Sequence, residues 1–263
     1  MTEKSTPDPA SVTLPSGAPM PLVGFGTWRL SGRDSYRAVR SALDAGYRLI
    51  DTATMYGNES EIGAAIRDSG IARESLFVTT KLPAEDAGRE RATIDASLAA
   101  LGLDRVDLWL VHWPPAERVL VRTWEHLLAV RDDGLTTDVG VSNYNIEQID
   151  RLIAATDEAP AVNQIPWAPA GFDGELLRAL RERSVVLEGY SPFKHSNLKD
   201  RALVEIARRH GVSSAQVIVR WHVQHEIVVI PKSAKPDRIA ANFDVWDFGL
   251  APDEMRVLDD LGR

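Results

Sequence analysis

The feature that most constrains this chain is an alternation repeated about eight times from Gly24 onward. Short apolar runs at 24–28, 47–50, 76–80, 106–111, 137–141, 161–165, 185–189 and 227–230 read as strands. Between them lie stretches with apolar residues at helical spacing, at 35–43, 59–67, 90–101, 120–131, 146–155, 174–182, 200–210 and 213–224, with 236–242 and 252–261 after the last strand. Several strands are nearly continuous in apolar residues, as parallel strands covered on both faces are. Eight successive units without a composition break predict an α/β fold, a closed (β/α)8 TIM barrel. The 263 residues suit one such domain, expected over 11–263. Two short apolar pieces at 12–17 and 20–23, separated by a Ser, Gly and Pro turn, predict an N-terminal β-hairpin that caps the barrel bottom. The segment 252–261 would be an extra C-terminal helix, and residues 1–10 read as a disordered polar tail without a signal region.

A doubly wound sheet with a Rossmann nucleotide site is the rival fold. Gly24-Phe25-Gly26 starts its fingerprint, but Arg29 stands where the third glycine belongs. The two glycines therefore read as a tight strand end. A formal charge of -8 argues against broad binding to nucleic acid or an anionic membrane. The absence of Cys excludes disulfides and thiolate chemistry and fits a reducing compartment, so the chain is expected in the cytoplasm. No apolar run approaches the ~20 residues needed to span a bilayer.

In a barrel the carboxyl ends of the strands share one face, where active sites are built. Asp51, Lys81 and His112 each follow an apolar run, and Tyr56 lies one loop turn beyond Asp51. Singly they have structural readings as a cap, an edge ring or a solvated ammonium. Together they suit protonation of an oxygen whose carbon receives hydride. Tyr56 would donate the proton, Lys81 would stabilise the tyrosinate, Asp51 would hold Lys81 charged, and His112 would orient a carbonyl oxygen. Hydride needs a carrier, since no side chain supplies one. Lys232, Ser233, Lys235 and Arg238 cluster where the last strand enters a helix, an anion site of the kind phosphates use. Trp28, Met55 and Trp113 adjoin strand ends and are candidates for an apolar substrate wall, whereas Trp109, Trp124, Trp221 and Trp246 read as packing. His222 and His225 lack a third ligand and read as a helix-end pair, with no metal site expected.

From about Val12 onward the chain resembles the aldo-keto reductase family. The motifs are Gly24-Phe-Gly-Thr-Trp28, Asp51-Thr-Ala-Thr-Met-Tyr-Gly-Asn-Glu59, Thr80-Lys81, Val111-His-Trp-Pro114, Gly140-Val-Ser-Asn143, Val162-Asn-Gln164, Tyr190-Ser-Pro192 and Ile230-Pro-Lys-Ser233. It is most similar to the shorter bacterial members, near the diketogluconate reductase branch. The resemblance implies NADPH-dependent reduction of small aldehydes or ketones by a monomer, with Tyr56 as acid. It implies that Ser142, Asn143 and Gln164 hold the nicotinamide carboxamide while Tyr190 stacks on the ring. Thr27 and Asp51 would also border the cofactor. Ser191 and the loop from Phe193 to Leu198 would lie along the pyrophosphate. Lys232, Ser233 and Arg238 would take the 2'-phosphate, favouring NADPH over NADH, and Asn242 would reach adenine. Ala241 replaces a glutamate common in the family, and Trp167-Ala-Pro169 replaces the more usual Tyr-His-Pro. The loop after His112 is short and the chain ends soon after its last helix, so the pocket is expected to be open. Two other readings compete: a barrel aldolase with a Schiff base on Lys81, and a cofactor-binding regulatory barrel with little turnover.

Overall fold

Apolar runs covered on both faces satisfy their backbone groups only through neighbouring strands, and here the eight runs pair in sequence order. The computed structural model describes residues 10–194 and 196–262. The expected tail lies outside the described residues up to position 9, as do residue 195 of the expected cofactor loop and residue 263. The strands are β3 (Gly24–Gly26), β4 (Leu49–Asp51), β5 (Phe77–Leu82), β6 (Val106–Val111), β7 (Thr136–Ser142), β8 (Val162–Pro166), β9 (Val186–Tyr190) and β10 (Val228–Val229). All neighbours from β3 to β10 are parallel. The first and last strands meet at a parallel bridge between Val23 and Val229, so the sheet closes into the expected barrel.

Helices α1 (Gly32–Ala45), α2 (Glu59–Ser69), α3 (Glu90–Leu101), α4 (Leu120–Asp132), α5 (Ile146–Thr156) and α6 (Gly174–Glu182) follow β3 to β8 in turn. Both α7 (Arg201–His210) and α8 (Ser214–Gln224) stand between β9 and β10. After β10, α9 (Pro236–Phe243) packs on α1, and α10 (Pro252–Asp259) is the extra C-terminal helix, set against α7. Where the sequence started helices at 200 and 213, Asp200 and Ser213 are N-caps that accept backbone N–H groups of the first turn.

The N-terminal hairpin forms from β1 (Ser11–Thr13) and β2 (Pro19–Pro21), paired antiparallel. Ser16 in its turn donates to Asp138 at 2.5 Å, near the start of β7. Leu14, Met20 and Leu22 are buried. The hairpin thus seals the barrel end opposite to the strand carboxyl termini.

Strand ends differ from expectation by one or two residues. Asp51 is the last paired residue of β4, and Lys81 lies inside β5, paired with Leu110. A parallel ladder satisfies backbone groups whatever the side chain, so pairing continues past the end of the apolar pattern. The seam explains Gly24 and Gly26. A Cβ on Gly24 would stand 2.3 Å from the Leu49 side chain, and one on Gly26 would stand 2.8 Å from the Ile230 carbonyl oxygen. Gly24-Phe25-Gly26 is a close-approach device for closing the barrel. Gly26→Ala is expected to destabilise the fold by about 1–3 kcal/mol through overpacking against backbone, and urea unfolding at unchanged m-value would measure it.

Candidate active site

The motif that opens at Asp51 builds its own scaffold. The Thr27 hydroxyl donates to the Asp51 carbonyl at 2.9 Å. The Thr52 hydroxyl donates to Asn58 at 2.8 Å, and the Asn58 amide donates to the Thr27 and Leu30 carbonyls at 3.2 and 3.0 Å. Residues Thr54–Tyr56 form a single 3-10 turn that ends at Gly57, whose φ of 62° favours glycine. Thr54 ties this turn to β5 through a 2.9 Å hydrogen bond to the Lys81 carbonyl. Behind it, buried Glu59 accepts from Thr80 at 2.6 Å and from Ser97 at 3.2 Å. The polar residues of the motif thereby lock the position of one side chain, Tyr56.

Lys81 is fully buried, and its ammonium donates to both Asp51 oxygens at 2.7 and 2.6 Å and to the Thr52 carbonyl at 2.8 Å. It also lies over the Tyr56 ring, 5.3 Å from the centroid. An ammonium has no acceptor, so toward Lys81 the phenol oxygen can only accept, and its own O–H is free to donate elsewhere. Burial alone would lower the Lys81 pKa, but the Asp51 carboxylate outweighs it and holds the pKa above its ordinary value. For Tyr56, burial raises the pKa, Lys81 pulls it down and Asp51 pushes it up; the net result is a raised value. Lys81 thus limits the cost of tyrosinate without making Tyr56 a strong acid, and the proton stays on the phenol until an acceptor arrives.

His112 completes the tetrad, its ring edge-on to Tyr56 with centroids 5.6 Å apart. Burial and, secondarily, the Lys81 charge push its pKa down to about 3. Its Nδ1 is sealed from solvent without a partner among the described residues, which leaves Nε2 to serve the adjoining cavity. Putting the single ring proton on Nε2 makes Nδ1 an unpaired acceptor instead of an unpaired donor.

That cavity has a volume of about 410 Å³ and is lined by Asp51, Tyr56 and His112, within the range of small-molecule sites. Trp28, Met55 and Trp113 line its mouth and are about half exposed, with the Trp28 ring 4.8 Å from that of Tyr56. On the opposite wall Ser142, Asn143, Gln164 and Tyr190 form one network. Tyr190 donates to Asn143 at 2.8 Å, the Asn143 amide donates to Ser142 and to the His112 carbonyl, and Ser142 donates to the Gln164 carbonyl. Asn143 takes a left-handed φ of 64°, which Asn tolerates better than most residues. Ser191, Phe193 and Lys232 continue the lining. Thr27 is wholly buried beneath it, and Leu198, Ser233, Arg238 and Asn242 lie outside it, the last two on α9.

Sequence reading missed three features. Gln164 donates to Asp51 at 2.9 Å, so it braces the tetrad as well as facing the cavity. Glu188 is fully buried on β9, its register partner being Gln164; a charged residue inside an apolar parallel strand was the available signal. Arg29 and Ile230 also line the cavity, beside Lys194 of the expected cofactor loop. The packing tryptophans behave as expected: Trp109, Trp124 and Trp221 are buried, and Trp246 is partly buried against the core. His222 lies against the Ile218 and Trp167 carbonyls and His225 against Asp259, so each has a protein partner.

Because its folded pKa is lowered, His112 is expected to stay neutral from pH 8 down to pH 5, where an ordinary histidine, with pKa about 6.5, would protonate. NMR of the ring nitrogens should show one neutral state over that range; titration near 6.5 would contradict the assigned environment. The same shift removes stability as pH falls below about 6.5, because the unfolded chain then binds a proton that the native chain refuses.

The model of the aldo/keto reductase family matches residues 22–263. The chain is 43% identical to morphine 6-dehydrogenase of Pseudomonas putida, over 95% of this chain and 90% of that protein. It superposes on an aldo/keto reductase of Brucella melitensis with a TM-score of 0.92 at 40% identity, covering 95% and 98% of the two chains. A Bombyx mori aldo-keto reductase solved with NADP gives a TM-score of 0.90 at 31% identity, covering 96% and 92%. None of these three carries the diketogluconate reductase name, so that branch remains a resemblance. With this coverage and these motifs in place, the chain belongs to the aldo-keto reductase family.

Proposed function

We infer that this chain reduces aldehyde or ketone groups of small molecules with NADPH, using Tyr56 as general acid. The observation that carries the assignment is the Lys81 ammonium, bound to both Asp51 oxygens and set 5.3 Å from the centroid of the Tyr56 ring beneath an open cavity. NADPH supplies the hydride. Tyr56 donates its free O–H to the carbonyl oxygen as negative charge develops there, and Lys81 stabilises the tyrosinate left behind. His112 donates from Nε2 to the same oxygen and sets the angle of the carbonyl. Asp51 acts only through Lys81, which it keeps charged and oriented. Trp28, Met55 and Trp113 exclude water from the substrate and offer it apolar contact.

The opposite wall suits the cofactor. Ser142 and Asn143 retain acceptor capacity at their oxygens, and Gln164 retains an amide N–H and its carbonyl, a set that matches the NH2 and C=O of a carboxamide. The partly exposed Tyr190 ring would stack on the nicotinamide. Ser191, Phe193 and Leu198 would follow the pyrophosphate, with Thr27 and Asp51 behind the reacting end. Lys232, Ser233 and Arg238 would take the 2'-phosphate at the start of α9, and Asn242 would reach adenine. The Bombyx neighbour with NADP supports this cofactor. Cytoplasmic residence, a monomeric state and a single domain over 11–263 belong to the same proposal and rest on the sequence; among the described residues no helix is long and apolar enough to cross a membrane.

A Schiff base on Lys81 meets a physical obstacle. The amine is fully buried, held by Asp51 and Thr52, and kept protonated, whereas a nucleophilic lysine needs a lowered pKa. A regulatory barrel is distinguished by turnover alone.

Tyr56→Phe should lower carbonyl reduction by about 10²–10⁴-fold while NADPH binding, read from its fluorescence, persists. Turnover that survives the change removes Tyr56 from the role of acid. Arg238→Ala should weaken NADPH by about 10–100-fold, the worth of a charge-assisted hydrogen bond, and leave NADH nearly unaffected. Equal losses for both cofactors would end the 2'-phosphate assignment.

A further inference from the structure

Glu188 stands in an unusual position: it is fully buried inside the barrel, and neither carboxyl oxygen has a hydrogen bond of normal geometry to a described residue. The groups that act on it are few. Asp51 from β4 and Lys81 from β5 are the charged ones, while its flanking strands bring the Gln164 amide from β8 and the apolar Val228 from β10. Among the described residues the one buried Lys or Arg is already spent, since Lys81 holds both Asp51 oxygens. A second carboxylate would therefore have no counter-ion of its own and would face the charge of Asp51. Gln164 links the two acids, because its Nε2 donates to Asp51 at 2.9 Å while its amide lies close enough to Glu188 to influence its charge.

We propose that Glu188 is a positioning residue kept as a neutral carboxylic acid at neutral pH beside the Gln164 that braces Asp51, and that loss of its proton sets the alkaline limit of carbonyl reduction. The proposal rests on Tyr56 being the acid for its kinetic part only. Burial first, and then repulsion from Asp51, push the Glu188 pKa up to about 8. Tyr56 titrates above the ordinary tyrosine range, so its own deprotonation lies higher. When Glu188 releases its proton to solvent, the buried cluster of Asp51, Lys81 and Glu188 passes from balanced to net negative. That charge opposes formation of tyrosinate at Tyr56, as Asp51 already does. A like charge shifts a neighbouring group by about 1 pH unit or more, and general-acid rates follow roughly half such a shift, so reduction should fall by about threefold.

Glu188→Gln keeps the shape and a donor but cannot ionise. Infrared spectra in heavy water, taken as wild type minus Glu188→Gln without substrate, should show the carbonyl stretch of a protonated acid at pH 7, replaced by carboxylate bands by pH 10. Carboxylate bands at pH 7 overturn the proposal whether or not carbonyls are reduced. With a carbonyl substrate and saturating NADPH, kcat of the wild type should drop about threefold from pH 7 to pH 9, and the variant should lack that drop. An identical alkaline limb in both overturns the functional half. If the variant does not fold, the wild type remains decisive through its melting temperature. A raised acid pKa gives stability that is present below about pH 4.5 and is lost as pH rises through about 8, so a flat stability profile across that window contradicts the neutral acid.

Discussion

The structure depends on one buried ion pair. Placing an ammonium at zero exposure inside a barrel costs several kcal/mol in desolvation, and attraction to a partner repays it only with near-ideal geometry and every donor used. Lys81 meets that condition: its ammonium donates to both Asp51 oxygens and the Thr52 carbonyl, with the Tyr56 ring beside it. All three acceptors come from the two residues that open the loop, Asp51 and Thr52. The fixed shape of that short loop follows from the requirement, since an acceptor displaced by an ångström leaves part of a buried charge bare. Thr54, Asn58 and the left-handed Gly57 are the devices that hold the loop in place.

Burial, reinforced by the pair, keeps the ionisable groups His112 and Glu188 beside it neutral. Lys81 repels a proton from His112, and Asp51 repels ionisation of Glu188. In both cases burial acts in the same direction and is the larger influence. The outcome at the tetrad is one plus and one minus charge with neutral hydrogen-bonding groups around them. Such a site can donate a proton and a hydrogen bond to one oxygen without holding a net charge that would repel or trap a neutral carbonyl compound.

Much of this was legible before any coordinates. The barrel follows from alternation, because eight apolar runs with helical stretches between them leave few other ways to bury both faces of a sheet. Asp51, Lys81 and His112 were visible because each polar residue ends an apolar run, and Tyr56 because a phenol follows at loop distance. Strand ends were less legible: the backbone ladder carries Lys81 inside β5, although the apolar pattern stops before it. Gln164 could be placed on the cavity wall by resemblance, but its hydrogen bond to Asp51 crosses the barrel between residues 113 positions apart. No local pattern encodes a contact of that range. Arg29 was noted only as the residue that spoils a glycine motif, and its place in the cavity follows from a positive φ of 62° that composition does not announce.

The same distinction separates the tetrad from the far end of the cofactor path. Asp51, Lys81 and His112 sit on or directly after strands paired in parallel on both sides, and Tyr56 is held by a turn tied to β5, so their positions are over-determined. Lys232, Ser233 and Arg238 stand on a loop and the first turns of a short helix, with the Lys232 and Arg238 side chains exposed to water and the half-buried Ser233 hydroxyl held by the Lys235 backbone. An exposed cation near a helix start gains little until an anion arrives, because water already solvates it. Rigid chemistry and adaptable anchoring are thus assigned to different materials. The barrel interior keeps the proton-transfer atoms in one geometry, while the loop and helix α9 trade preorganisation for a grip that tightens only against a phosphate.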